Sequence, residues 1–231
     1  MPSFEDEEFG TVTVRRSPQA RHVRIRVAPN GTLRASLPQY APLFMVKRLL
    51  KQSRSEIREL MAAHNNGQLY LPGDTIGKSH TLIASSRDVN QTSVERHGVT
   101  ITLFLADGDD AAATATQNLV RPHVIAALRK EAKSYLPRRL KLLATRYGYT
   151  YEKVRFSHAS GRWGSCSSNG TISLNIALMK LPHELIDYVL VHELAHTREM
   201  NHSQAFWRHV GEADPQYKQH RAALKHETPS I

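Results

Sequence analysis

An apolar stretch through Ile186, Val189, Leu190 and Leu194 carries His192, Glu193 and His196 within it, and no other feature constrains the folding of this chain as strongly. Pro182 suits a first helical position and Glu184 its first turn, so the segment predicts a buried helix of about 17 residues. Two histidines four residues apart project from one helix face about a turn apart, so both imidazoles can reach one metal ion. Glu193 falls beside them, where it can take a proton from a metal-activated water without being a ligand itself. Burying these three groups is costly, so the fold has to gather partners around them. His183-Glu184 is an internal contrast: Asp187 stands where a second histidine would, which leaves that pair as first-turn helix chemistry.

Six residues beyond His196 comes His202. A straight helix cannot bring it to the same point, so the chain has to turn between Arg198 and Asn201, and Asn201 tolerates the left-handed conformation such turns often use. Three neutral nitrogen donors leave a tetrahedral ion one open position, as in a catalytic rather than a structural zinc site. A bare HExxH string arises by chance in roughly 4% of chains of this composition, so the context carries the reading. Ser203 is a suitable N-cap for a second, shorter helix with Phe206, Trp207 and Val210 on its inner face, packing in the core rather than meeting substrate.

Upstream, His22-Val23-Arg24-Ile25-Arg26-Val27 alternates strictly, so Val23, Ile25 and Val27 face a core. Asn30-Gly31 predicts a tight hairpin turn, with residues 32–37 returning antiparallel and residues 11–14 completing a three-stranded basic sheet. Helical spacing over residues 42–63 ends in the breaker run His64-Asn65-Asn66-Gly67. Strands are expected over 81–84 and 99–105, joined by a polar, turn-rich stretch. The acidic run Asp107-Gly108-Asp109-Asp110 is the best boundary, giving an N-terminal basic β-rich region with one helix (1–112) and a hydrolase region (113–231). Residues 113–147 predict one or two long helices, broken or kinked at Pro122 and Pro137. A short strand over 151–156 follows. Residues 161–168 and 171–176 flank Asn169-Gly170, a second hairpin signal.

Charge is unevenly spread: of a net +10, residues 11–55 hold ten arginines and lysines and no acid. Such a patch could attract a nucleic acid or another acidic partner, or it could be a solvated strand face. The single Cys166 excludes an internal disulfide framework. No apolar run approaches the ~20 residues of a membrane span, and the acidic first ten residues do not have the order of a secretory signal, so the expected setting is cytoplasmic, without a membrane partner.

Arg162-Trp163-Gly164-Ser165-Cys166-Ser167, Leu174-Asn175, Val191-His192-Glu193-Leu194-Ala195-His196, Asn201-His202-Ser203 and Phe206-Trp207 together resemble the YgjP-like metal-dependent hydrolases, relatives of the SprT-like and WLM peptidases. The resemblance implies an α+β fold with a zincin-like, minigluzincin-type catalytic region behind an N-terminal antiparallel β-sheet. It implies one Zn²⁺ held by His192, His196 and His202, with Mn, Co or Ni as alternatives, and Glu193 as general base. Glu199 stands where the broader metzincin pattern has its turn glycine. In a zincin an edge strand above the metal can pair with an extended substrate, and residues 161–168 are the candidate, the other reading being a core hairpin with Trp163 on the metal helix. Arg162, Trp163, Ser165 and Asn175 are the candidate substrate-binding residues, and Arg162 or His158 could stabilise an oxyanion. Cys166 is a packed residue, a redox-sensitive thiol or a fourth ligand closing the site. The expected activity is peptide hydrolysis. Two alternatives stay open: hydrolysis of a phosphoanhydride in a nucleotide or similar small phosphorylated substrate, and a zinc-stabilised nucleic-acid-binding module.

Overall fold

The computed structural model describes residues 2–28, 32–65, 68–159 and 161–231, with the side chains of 62–65 left out. Contacts divide the chain into Met1–Leu69 and Tyr70–Ile231. The junction drawn at residue 112 therefore falls inside the second unit, because Ile76, Leu82, Ile101 and Leu103 share one core with Val120, Val124 and Leu128.

In the first unit, alternation builds a four-stranded sheet in the order β1 (Ser3–Asp6), β2 (Gly10–Ser17), β4 (Leu33–Pro38), β3 (Arg24–Val27). Val12, Val14, Leu33, Ala35 and Leu37 are buried on one face, and Ile25 and Val27 are half-buried beside them. β3 and β4 pair antiparallel as expected, while Asn30-Gly31 lies outside the described residues. The sheet departs from the expected antiparallel three-stranded one in two ways. β2 and β4 run parallel, because β3 takes the edge and leaves β4 beside β2. The added strand β1 is acidic: Arg54 bonds Asp6 (3.2 Å) and Glu8 (2.5 Å), and Arg58 also bonds Glu8. The helix expected over 42–63 is two, α1 (Phe44–Gln52) and α2 (Arg54–Asn65), divided at Ser53, a residue whose hydroxyl competes with helical bonding. Of the breaker run, Asn66 and Gly67 lie outside the described residues.

In the second unit, β5 (Thr75–Ile76), β6 (His80–Ser85), β8 (Thr100–Phe104) and β7 (Ser93–His97) form a sheet in that order. β7 lies in what the sequence suggested was only a turn-rich link. A single helix α3 (Thr114–Tyr147, 34 residues) follows, with Pro122 and Pro137 inside it. Neither proline ends it, since the lost hydrogen bonds are outweighed by a continuous buried stripe through Val120, Val124, Leu128, Ala132, Leu136 and Leu140. The Glu131 carboxylate accepts from the N–H groups of Lys78 (2.7 Å) and Ser79 (2.9 Å), from Ser79 Oγ (2.7 Å) and from His80 Nδ1 (2.6 Å). Burial alone would raise its pKa, but these bonds outweigh burial and hold it low. Gly77, with φ +67°, leaves the room that Glu131 occupies.

The remaining sheet runs β10 (Gly164–Cys166), β11 (Thr171–Asn175), β9 (Lys153–Ser157), with β10 antiparallel and β9 parallel to β11. A short 3-10 turn (Ile176–Lys180) leads into α4 (His183–Ala195), followed by α5 (Gln204–Ala213) and α6 (Tyr217–Leu224). The class is α+β, as expected. Among the described residues, no helix is long and apolar enough to cross a membrane.

Candidate metal centre

Pro182 caps α4 rather than opening it, and the helix has 13 residues, fewer than expected, ending at Ala195 with His196 as its C-cap. Leu185, Ile186, Val189, Leu190 and Leu194 are buried around it. His183 bonds Tyr135 (2.9 Å) and Asp187 makes a paired contact with Arg139 (2.7 and 2.5 Å), so the contrast pair serves helix packing.

After His196 the chain turns through bonds from Arg198 and Glu199 N–H to the Ala195 carbonyl, both 3.0 Å. This turn needs no left-handed residue: among the described residues, only glycines have positive φ. The expectation for Asn201 is corrected accordingly. Its side chain instead accepts from Ser203 N–H (3.2 Å), bending the chain into α5, where Ser203 Oγ accepts from Phe206 N–H (3.3 Å) as the expected N-cap.

The turn brings His202 back to α4. His192, His196 and His202 each offer a nitrogen, all within 4.8 Å of one another, and among the described residues this is the one such cluster of three or more metal-ligating groups. His196 Nδ1 lies 3.0 Å from the Glu199 carbonyl, which can only accept, so Nδ1 carries the proton and Nε2 keeps its lone pair. His192 and His202 approach Nε2 to Nε2 at 3.1 Å. Burial, then the neighbouring His196 and His202, push the His192 pKa down to about 3, and burial also lowers that of His202. The His192 ring is thus held neutral, the form a metal requires. Three converging ring nitrogens, two of them only 3.1 Å apart, fit one divalent cation.

Glu193 is 5% exposed, and its Oε2 has no hydrogen-bond partner among the described residues. Burial pushes its pKa up to about 8, with the charge of Arg162 pulling the other way. The carboxyl group occupies a notch in β10: a Cβ on Gly164 would stand 2.6 Å from Oε1 and 2.8 Å from Cδ. Phe206, fully buried, touches all three histidines with ring centroids 4.9, 4.5 and 4.8 Å away. Trp207 stacks on His202 at 5.6 Å and on Tyr217 at 5.5 Å, with Arg221 4.5 Å from its ring. These two aromatics are core, as read from their spacing, but that core is the wall of the histidine cluster. Nothing in the spacing says so; only the return of α5 onto α4 does.

The four candidate substrate residues separate. Arg162 is exposed, and Trp163 is half-buried against the core. Ser165 alternates with Gly164, so its side chain leaves the opposite face of the sheet from Glu193. Asn175 is fully buried, with Nδ2 donating to the carbonyls of Ala159 (2.6 Å) and Arg162 (2.9 Å) and Oδ1 accepting from Ala177 N–H (3.0 Å). It holds the loop that carries Arg162 and, fully buried, presents no surface of its own, an arrangement that suits an orienting role. Asn175→Ala removes the side-chain partner of one buried and two part-buried backbone groups and is expected to cost roughly 1–3 kcal/mol in urea unfolding. Cys166 stands outside the histidine cluster, its thiol pushed up to about 11 by burial and then by Glu193.

β10 is an edge strand. Asn175 N–H donates to the Trp163 carbonyl (2.8 Å) and Ser167 N–H to that of Thr171 (3.0 Å). Residues 163, 165 and 167 therefore bond inward to β11, and the backbone groups of Gly164 and Cys166 face the open edge.

The family model for the YgjP-like metallopeptidase domain matches residues 21–227. Among solved structures, the metallopeptidase zymogen of Pyrococcus abyssi abylysin is 29% identical, with a TM-score of 0.36 over 39% of this chain and 92% of that one. The metallopeptidase zymogen of Methanocaldococcus jannaschii jannalysin is 15% identical, with a TM-score of 0.35 over 39% and 93%. No curated protein matches the chain.

Proposed function

The chain belongs to the YgjP-like metallopeptidase family, and from that membership we propose a zinc-dependent peptidase in which His192, His196 and His202 hold the ion and Glu193 is the general base. The observation that carries the assignment is the histidine cluster, three ring nitrogens within 4.8 Å of one another and next along the chain from a buried carboxyl group. Three donors rather than four leave the cluster open, which favours catalysis over a purely structural zinc module.

A divalent cation in that position supplies Lewis acidity toward the scissile carbonyl and makes a water acidic near neutral pH. The residues of the chain do the rest. Glu193 ionises beside positive charge, takes the proton of the attacking water and returns it to the leaving amine. Arg162, already within electrostatic reach of Glu193, favours that ionised form. The open edge of β10 supports an extended peptide through the backbone groups of Gly164 and Cys166, which leaves its side chains to set preference.

The direct test is metal analysis of the purified chain followed by hydrolysis of a mixed peptide library. About one divalent ion per chain, peptide cleavage abolished by chelation and its return with added zinc are the expected results. Release of phosphate or pyrophosphate from nucleoside triphosphates with no peptide cleaved would overturn the peptide assignment. It would do so while leaving the metal site intact.

A further inference from the structure

The outer face of the N-terminal sheet is the strongest feature that peptide hydrolysis leaves unused. Strand alternation buries Val12, Val14, Leu33, Ala35 and Leu37 and turns Arg15, Arg24, Arg26 and Arg34 outward, where all four are exposed. The registers fix their arrangement. Arg26 lies opposite Arg34 and Arg24 opposite Ser36; across the other side of β4, Thr13 lies beside Arg34 and Arg15 beside Ser36. Two rows result, Arg26-Arg34-Thr13 and Arg24-Ser36-Arg15, about 7 Å apart along the strands and about 5 Å from strand to strand.

Of the acids that precede this face in sequence, Asp6 and Glu8 are engaged away from it, while Glu5 lies at its β1 edge, opposite Thr11 and outside both rows. Glu5 accepts from Thr11 (2.6 Å), and Asp6 and Glu8 bond to Arg54 and Arg58. Arg26 and Arg34 are like charges directly across an antiparallel pair, which destabilises a sheet. A face that carries this cost with no acid in either row, among the described residues, is suited to an anion supplied from outside.

We propose that this face binds the phosphodiester backbone of a nucleic acid. Each side chain in the two rows donates hydrogen bonds, and arginine, serine and threonine are the groups that phosphate oxygens accept from in such contacts. The planar guanidinium fork matches paired phosphate oxygens. Neither row holds an aromatic or aliphatic side chain, so bases find no stacking platform and a lipid surface finds nothing to insert. Binding is therefore to the backbone, independent of base sequence and steeply dependent on salt.

The test uses the full chain and a fluorescein-labelled DNA of about 20 nucleotides, single-stranded and duplex, with anisotropy read between about 50 and 200 mM NaCl. Arg26→Gln/Arg34→Gln is expected to weaken binding at least tenfold at the lower salt and to flatten the log–log salt slope by about 1.4–1.8, each lost phosphate contact removing about 0.7–0.9. The same variant is expected to melt at a higher temperature than the parent, because the opposed charges are gone. Weaker binding with greater stability is a combination that a merely structural role would not produce. Arg15→Gln/Arg24→Gln, a second pair of exposed positions, is expected to flatten the slope equally, whereas Arg138→Gln/Lys141→Gln on α3 should change nothing. The proposal is overturned by absence of binding at low salt, by an unchanged slope in both sheet variants, or by equal competition from polyglutamate of matched charge.

Discussion

Glu193→Gln is expected to keep its metal and its fold while peptide hydrolysis falls by about 10²–10⁴-fold, the contribution typical of a positioned general base. The side chain is buried against Gly164, and glutamine has the same shape, so packing is preserved. Oε2 has no partner among the described residues, so an amide there breaks none of their bonds. Lost instead is a group able to take up and return a proton. A second readout follows from the raised pKa. An unfolded Glu193 gives up its proton near 4.5, while the folded, metal-free chain keeps it until about 8. Between those values the native state binds more protons, so metal-free stability falls as pH rises, by up to about 1.4 kcal/mol per pH unit from this group. Urea midpoints of the metal-free parent at pH 5 and pH 8 should show that fall, and the glutamine variant should lack this component. Turnover surviving in the metal-loaded variant would remove Glu193 from the mechanism.

What could be read from the sequence follows the strength of each physical signal. α4 was legible because polar groups inside an apolar helix are expensive, and α5 because Ser203 is a strong cap followed by a helical stripe. The strands β3, β4, β10 and β11 announced themselves by alternation and Asn-Gly turns. β5 and β7 did not, being short and polar, and stable only because their neighbours β6 and β8 present open edges. β1 was hidden by its acids, of which Asp6 finds its partner Arg54 48 residues away. The prolines of α3 mark a break by local rules, and the buried stripe through Leu128, Leu136 and Leu140 overrides them. At the site, the histidines and Glu193 could be named from spacing. Asn175 could not be placed, because an amide that clamps a loop and one that binds substrate look alike until its neighbours are known. Gly164 could not be found at all, since its contribution is the absence of a side chain.

That absence makes Gly164→Ala the substitution with the largest expected effect outside the histidines and Glu193. The new Cβ would stand 2.6 Å from Glu193 Oε1, 2.8 Å from Cδ and 2.8 Å from Cγ. Contact with Cγ means that rotating the carboxyl end alone cannot clear it; either the whole Glu193 side chain or β10 has to move. Overpacking of this kind costs about 1–3 kcal/mol, and a carboxylate shifted by about 1 Å from its working position loses on the order of 10²-fold in rate. Metal content should be unchanged, which separates this loss from that of a ligand. Glu193→Asp draws the carboxylate back by one methylene, so Gly164→Ala should cost less stability in that background than in the parent. A double-mutant cycle in urea should thus give a coupling of about 1 kcal/mol or more between the two positions. Activity could still stay low in the double variant, because the shortened carboxylate no longer reaches the same place. Full activity in Gly164→Ala, or strict additivity in the cycle, would mean that β10 yields freely and that its glycine does not set the position of the base.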